Sequence, residues 1–193
     1  MERQDRYVYQ YYTDPWPHAV VDDFFPEDYF WQLRKKFPDV VHPKLKDALF
    51  ECAYSRDDDL TAYMQDHIPW LHEVFKDDYI KPYDKLHADT VFASQSPGFE
   101  YYIHNDMPSK VFGILVYMGD TGEGTRLYYG RTEDTYAKTV EWKPNRAMVW
   151  ALSEYDMTEG QETFHMYRNL TSEIRDSINT MFRREYDTNS VKF

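Results

Sequence analysis

Phe99-Glu-Tyr-Tyr-Ile-His104, then Asn105-Asp106, then Val111-Phe-Gly-Ile-Leu-Val-Tyr-Met118 set the texture of the second half of this chain. Short aromatic and β-branched runs are broken by turn residues, the pattern of strands that pack on a pleated surface. Working outward, residues 90–95, 99–104, 111–118, 125–129, 137–142, 147–152, 163–169 and 176–183 form eight such runs. Residues 119–124 and Lys143-Pro-Asn145 carry the turn chemistry between them. Eight short strands predict a mostly β fold with packed α-helices, built on a jelly-roll core.

The first half reads differently. His18-Ala-Val-Val-Asp22 is a short strand, and a helix is expected to start near Pro26, with Phe30, Leu33 and Phe37 on its buried face. Leu60, Met64, Ile68, Leu71 and Phe75 recur at helical spacing over 58–75, where Pro69 must bend or divide the helix. With 193 residues, one domain over 1–193 is expected, 1–89 a mainly helical support and 90–185 the core. A 42% hydrophobic and 18% aromatic content marks a folded globule. The net charge of −12 opposes docking on nucleic acid or anionic lipid, so neither partner is expected. Cys52 is the one cysteine, no apolar run approaches membrane-spanning length, and the first twenty residues lack a signal-peptide core, so the expected location is cytoplasmic.

Residues i and i+2 of an extended segment share a face, which lets His104 and Asp106 offer an imidazole nitrogen and a carboxylate oxygen to one metal. A His-x-Asp tripeptide is common by chance. His165, 59 residues on in another strand, can complete a two-histidine, one-carboxylate face that leaves coordination positions open. Nitrogen and oxygen ligands without a thiolate suit iron(II) better than structural zinc. Ten residues beyond His165, Arg175 and Ser177 share a face of the next strand and can clamp a carboxylate, the guanidinium fork doing so bidentately.

With those residues in place, the sequence resembles the iron(II)- and 2-oxoglutarate-dependent dioxygenases, whose pattern is His-x-Asp, a distant His, and Arg-x-Ser about ten residues later. Residues 14–25 resemble the first strand of the prolyl 4-hydroxylase-like branch, and Val111–Met118, Gly124-Thr-Arg-Leu-Tyr128 and Lys143–Trp150 continue the likeness. The resemblance implies a double-stranded β-helix of cupin-like type. It also implies Fe(II) on His104, Asp106 and His165, 2-oxoglutarate as co-substrate, O2, and ascorbate as a stimulant. It places Tyr117 beside Arg175 and Ser177 at the distal carboxylate of 2-oxoglutarate, with Tyr102 and Asn179 as further pocket residues. The implied reaction is hydroxylation coupled to conversion of 2-oxoglutarate to succinate, on a prolyl peptide or protein or on a small molecule such as a free amino acid, another metabolite or a nucleobase. Animal collagen hydroxylases carry lysine at the position of Arg175, so collagen-like substrates do not follow. A cupin-like enzyme without 2-oxoglutarate and a non-catalytic binding module remain alternatives.

The other histidines, at 18, 42, 67, 72 and 87, show no ligand spacing and read as solvated or core-edge groups. Asp57-Asp-Asp59 and Asp77-Asp78 read as helix caps. Cys52 reads as a small hydrophobe, and Gly122-Glu-Gly124 as a turn. Residues 94–98, 107–110 and 153–162 are expected at the mouth of the roll, the last as a lid.

Overall fold

A computed structural model describes residues 7–47, 52–77, 85–107, 109–151 and 162–184. Two short strands, β1 (Tyr9–Tyr12) and β2 (His18–Val21), precede helices α1 (Glu27–Arg34), α2 (Phe37–Val40) and α3 (His42–Asp47). Strand β3 (Cys52–Arg56) and helices α4 (Asp58–Gln65) and α5 (Ile68–Val74) follow. The remaining strands are β4 (Leu86–Gln95), β5 (Glu100–His104), β6 (Lys110–Tyr117), β7 (Thr125–Tyr128), β8 (Tyr136–Val140), β9 (Ala147–Ala151), β10 (His165–Arg168) and β11 (Arg175–Arg184). All pairings are antiparallel: a seven-stranded sheet runs β1-β2-β9-β6-β11-β4-β3, and a four-stranded sheet runs β5-β10-β7-β8.

The eight strands from β4 onward are the eight read from the sequence, with β4 starting four residues earlier than expected. β6 explains why its run is continuously apolar. Phe112, Ile114 and Val116 face one way, into a core shared with Leu33 and Phe37 from the first helices and Leu60, Met64, Leu71 and Phe75 around α4 and α5. Leu115 and Tyr117 face the other way, against Leu127 and Val140 of the smaller sheet. A strand covered on both faces has no solvent side and so loses the polar alternation of a half-exposed strand. Each large side chain buried there contributes about 1.5–3 kcal/mol.

The helix expected over 58–75 is two helices. A proline ring clashes with the carbonyl four residues earlier, and for Pro69 that residue is Gln65, where α4 ends. Asp57 caps α4, its carboxylate accepting from the Leu60 amide at 2.8 Å. Pro26 stands just before α1 and not inside it, with Glu27 and Asp28 in the first turn and Arg34 in the last, matching the helix dipole. The edge strands β1 and β3, and the short α2 and α3, were not foreseen: their alternation is weak, and pairing with β2 and β4 is what orders β1 and β3. Thus the N-terminal stretch contributes three strands as well as helices. Among the described residues no helix is long and apolar enough to cross a membrane.

His18 is fully buried, its Nδ1 2.7 Å from the Trp16 carbonyl and its Nε2 without a hydrogen-bond partner. Burial lowers its pKa from 6.5 to about 4. A depressed pKa gives stability that is complete above the unfolded value and lost as pH falls toward the folded one. Between about pH 7.5 and 5, His18 should therefore cost the fold about 2 kcal/mol. Urea unfolding across that range should show a shallower loss for His18→Gln than for the wild type; parallel curves would refute the burial account.

Candidate metal centre and carboxylate pocket

Strands β5 and β10 are neighbours, and their register puts His165 directly opposite His104. The two rings lie 4.4 Å apart between centroids. Each imidazole is oriented the same way: Nδ1 of His104 is 3.0 Å from the Tyr102 carbonyl, and Nδ1 of His165 is 2.8 Å from the Thr163 carbonyl. A carbonyl only accepts, so both Nδ1 atoms carry the proton and both Nε2 atoms present a lone pair. Burial depresses both pKa values, that of His165 to about 4, which keeps the rings neutral and ready to ligate.

Asp106, just beyond the end of β5, completes the set. Its Oδ1 is 4.0 Å from His104 Nε2 and its Oδ2 3.7 Å from His165 Nε2. One ligand atom from each of the three residues lies within 4.8 Å of the others. Three atoms on one face of an ion, each about 2.0–2.2 Å from it, stand about 3 Å apart, so the side chains must draw together by up to about 2 Å to close on a metal. Burial alone would raise the Asp106 carboxyl, but Lys110, His165 and His104 overcome it and hold it well below the usual carboxylate range. Lys110 Nζ donates to Oδ2 at 2.9 Å and the Trp150 indole N–H donates to the same oxygen at 3.2 Å, with the ammonium 4.4 Å from the Trp150 ring centre. Held through Oδ2, the carboxylate keeps that oxygen beside His165 and turns Oδ1 toward His104. Asn105 ties the two strands, accepting from the Thr163 hydroxyl at 2.8 Å.

Arg175 opens β11 in register with Gln95 of β4. It is 1% exposed; Nη1 donates to Gln95 Oε1 at 2.8 Å and Nε to the Glu123 carbonyl at 3.3 Å. The guanidinium carbon is 4.9 Å from the ring centres of both Trp142 and Tyr167. Its Nη2 is buried with no hydrogen-bond partner. An unsatisfied cationic donor in a dry site is costly, about 1–3 kcal/mol or more, and a carboxylate would relieve it. Ser177 is buried two positions along the same face. Tyr117 offers Arg175 its ring, 5.8 Å away, while its hydroxyl donates to Thr125 Oγ1 at 2.9 Å. The hydroxyl contact expected of Tyr117 is thus directed at β7, because Thr125 sits across the sheet interface from it.

A cavity of about 460 Å³ opens over the triad and is lined also by Tyr54, Tyr101, Leu115, Tyr167, Asn179 and Met181. Asn179 falls on its wall with Oδ1 buried and unpartnered. Tyr102 is at its rim, 67% exposed and stacked on Tyr101, and so lies outside the interior position expected of it. Arg175 packs against the Tyr167 ring, and neither it nor Ser177 nor Tyr117 lines this cavity. Met107 borders it, whereas 153–161 of the expected lid lie outside the described residues.

No protein-family model matches the sequence, and no curated protein matches it. The solved structures do. A Pseudomonas putida prolyl-4-hydroxylase superposes with a TM-score of 0.61 at 15% identity, over 88% of this chain and 93% of that one. This chain has the prolyl 4-hydroxylase fold. The same fold is shared with the viral collagen prolyl hydroxylase of Paramecium Bursaria Chlorella virus-1, solved as a 2OG complex, at TM-score 0.59, 15% identity and coverage of 94% and 99%. A Burkholderia pseudomallei oxidoreductase of the 2OG-Fe(II) oxygenase family matches at TM-score 0.64 and 9% identity over 87% and 84%. In this hydroxylase fold the jelly-roll strands are β4 to β11, and β1, β2 and β3 extend the larger sheet.

Gln95, Asn105, Lys110 and Trp150 were missed as supporting residues by the sequence reading. Lys110 follows Asp106 by four residues across a turn, a spacing that carries no ligand signature until the fold brings the two together. Gln95 could have been found only from the β4–β11 register.

Proposed function

We propose that this protein is an Fe(II)- and 2-oxoglutarate-dependent dioxygenase that hydroxylates its substrate. The observation that carries the reading is the pair of Nδ1–H to carbonyl bonds that turn His104 and His165 Nε2 onto the Asp106 carboxylate. Two imidazoles and one carboxylate leave open positions, as iron(II) oxygenases require. The unpartnered Nη2 of Arg175 supports a dicarboxylic co-substrate, as does the hydroxylase fold shared with a protein solved with 2OG.

Iron(II), once bound with 2-oxoglutarate and O2, supplies oxidative decarboxylation to succinate and carbon dioxide coupled to oxidation of a substrate C–H bond. The protein holds the parts. His104, Asp106 and His165 bind the metal on one side, and Lys110 and Trp150 keep Oδ2 of Asp106 engaged so that the carboxylate cannot swing away. Arg175 anchors the far carboxylate of the co-substrate, with Trp142 and Tyr167 excluding water from the guanidinium. For that anchor to reach the cavity, Tyr167 must move aside or share the opening. The fold favours a prolyl hydroxylase-like activity on a peptide or protein; a free amino acid or another small molecule is the second reading, favoured by the charged wall described below.

Purified protein given Fe(II), 2-oxoglutarate and ascorbate should release succinate, and Mn(II) in place of iron should bind without turnover. Absence of binding by both metal and 2-oxoglutarate in calorimetry would overturn the reading.

A further inference from the structure

The inner face of β11 carries a second arginine. Asn179, Met181 and Arg183 alternate along the cavity wall, which places Arg183 eight residues beyond Arg175 on the same face, about 27 Å away along an extended strand. Arg183 is opposite Lys110 of β6, and Asp89 of β4, which is in register with Met181, and Arg56 of β3, in register with Val91, line the same cavity. Asp89 Oδ2 is 3.1 Å from Arg56 Nη2 and 3.6 Å from Arg183 Nη2, one carboxylate between two guanidiniums. Nε of Arg183 is buried without a hydrogen-bond partner. Lys110 is neutralised by Asp106, and Asp89 neutralises only one of the two arginines, so the wall keeps one cationic charge in surplus. That surplus stands out on a chain of net charge −12.

We infer that Arg183, assisted by Arg56, binds a carboxylate of the substrate, so that the site takes an anionic small molecule or a chain end. The inference rests on the dioxygenase reading above and names the substrate class for it. A single surplus charge matches a monoanionic carboxylate, and the planar guanidinium fork with a free Nε suits its two oxygens. Arg175 and Arg183 would thus serve two different carboxylates from opposite ends of one strand, co-substrate and substrate. The cationic wall also draws anions into the cavity ahead of neutral competitors.

The test uses matched pairs that differ only in charge: the N-acetyl derivatives of the common L-amino acids, each beside its carboxamide. Substrate-stimulated succinate release is measured with the Fe(II)-loaded protein, and Mn(II) and 2-oxoglutarate binding are measured separately. At least one acid should stimulate release, with its carboxamide about tenfold or more weaker in kcat/KM. Arg183→Gln should lower kcat/KM for that acid about tenfold or more, leaving the carboxamide and the KM for 2-oxoglutarate within about twofold; Arg56→Gln should act in the same direction with a smaller effect. Equal stimulation by acids and carboxamides, no stimulation by any acid, or an acid preference that survives in Arg183→Gln would overturn the inference while leaving cofactor binding intact. A wild-type protein that binds neither Mn(II) nor 2-oxoglutarate would instead sink the dioxygenase reading, and this inference with it.

Discussion

Replacing His165 with alanine should lower succinate release by more than ~1000-fold, a loss of about 4 kcal/mol of transition-state stabilisation. The imidazole is 5% exposed and lies directly across the sheet from His104, so no neighbouring side chain can take its place as a ligand. Calorimetry with Mn(II) should show the metal lost along with turnover, which distinguishes a missing ligand from a misplaced substrate. Because the truncation leaves a cavity, His165→Gln serves as the volume-matched control, and circular dichroism of both variants should match the wild type. Metal binding retained at wild-type affinity in both variants would remove His165 from the centre. Lys110 bears on the same experiment: it keeps Asp106 ionised and oriented in both variants, so the loss of metal reports on the missing imidazole.

Arg175→Met should raise the KM for 2-oxoglutarate about 100-fold, the equivalent of roughly 3 kcal/mol from a lost charge-assisted, bidentate contact. Methionine keeps much of the volume between Trp142 and Tyr167 and removes the buried charge, so the protein without ligand should melt close to the wild type. Added 2-oxoglutarate should stabilise the wild type against heat and have no such effect on the variant. Arg175→Lys keeps the charge and loses the fork, and it should fall between the two. Turnover that continues unchanged without 2-oxoglutarate in Arg175→Met would favour a cupin-like enzyme that needs no co-substrate.

The strands of the roll were legible because their side chains meet two kinds of surface. β6 reads as a continuous apolar run since both of its faces are covered, and β11 shows its inner row, from Arg175 through Ser177 and Asn179, by simple alternation. The helical half was legible at Pro69, whose ring clash is local, and at Asp57, whose cap is local too. β1 and β3 were not, because an edge strand takes its conformation from the strand beside it. Tyr117 shows the same limit within the site: its place near Arg175 follows from the motif, while the direction of its hydroxyl follows from Thr125 on the opposing sheet.

By itself the sequence determined the candidate ligand types, the order of the strands that carry them and the arginine proposed to bind a carboxylate, since these depend on residue chemistry and short-range alternation. Tertiary structure alone decided that His165 faces His104, that Lys110 and Trp150 lock Asp106, and that Arg56, Asp89 and Arg183 share one wall. Those pairs are separated by up to about a hundred residues or more, and only strand register, which depends on the packing of both sheets together, sets which of them meet.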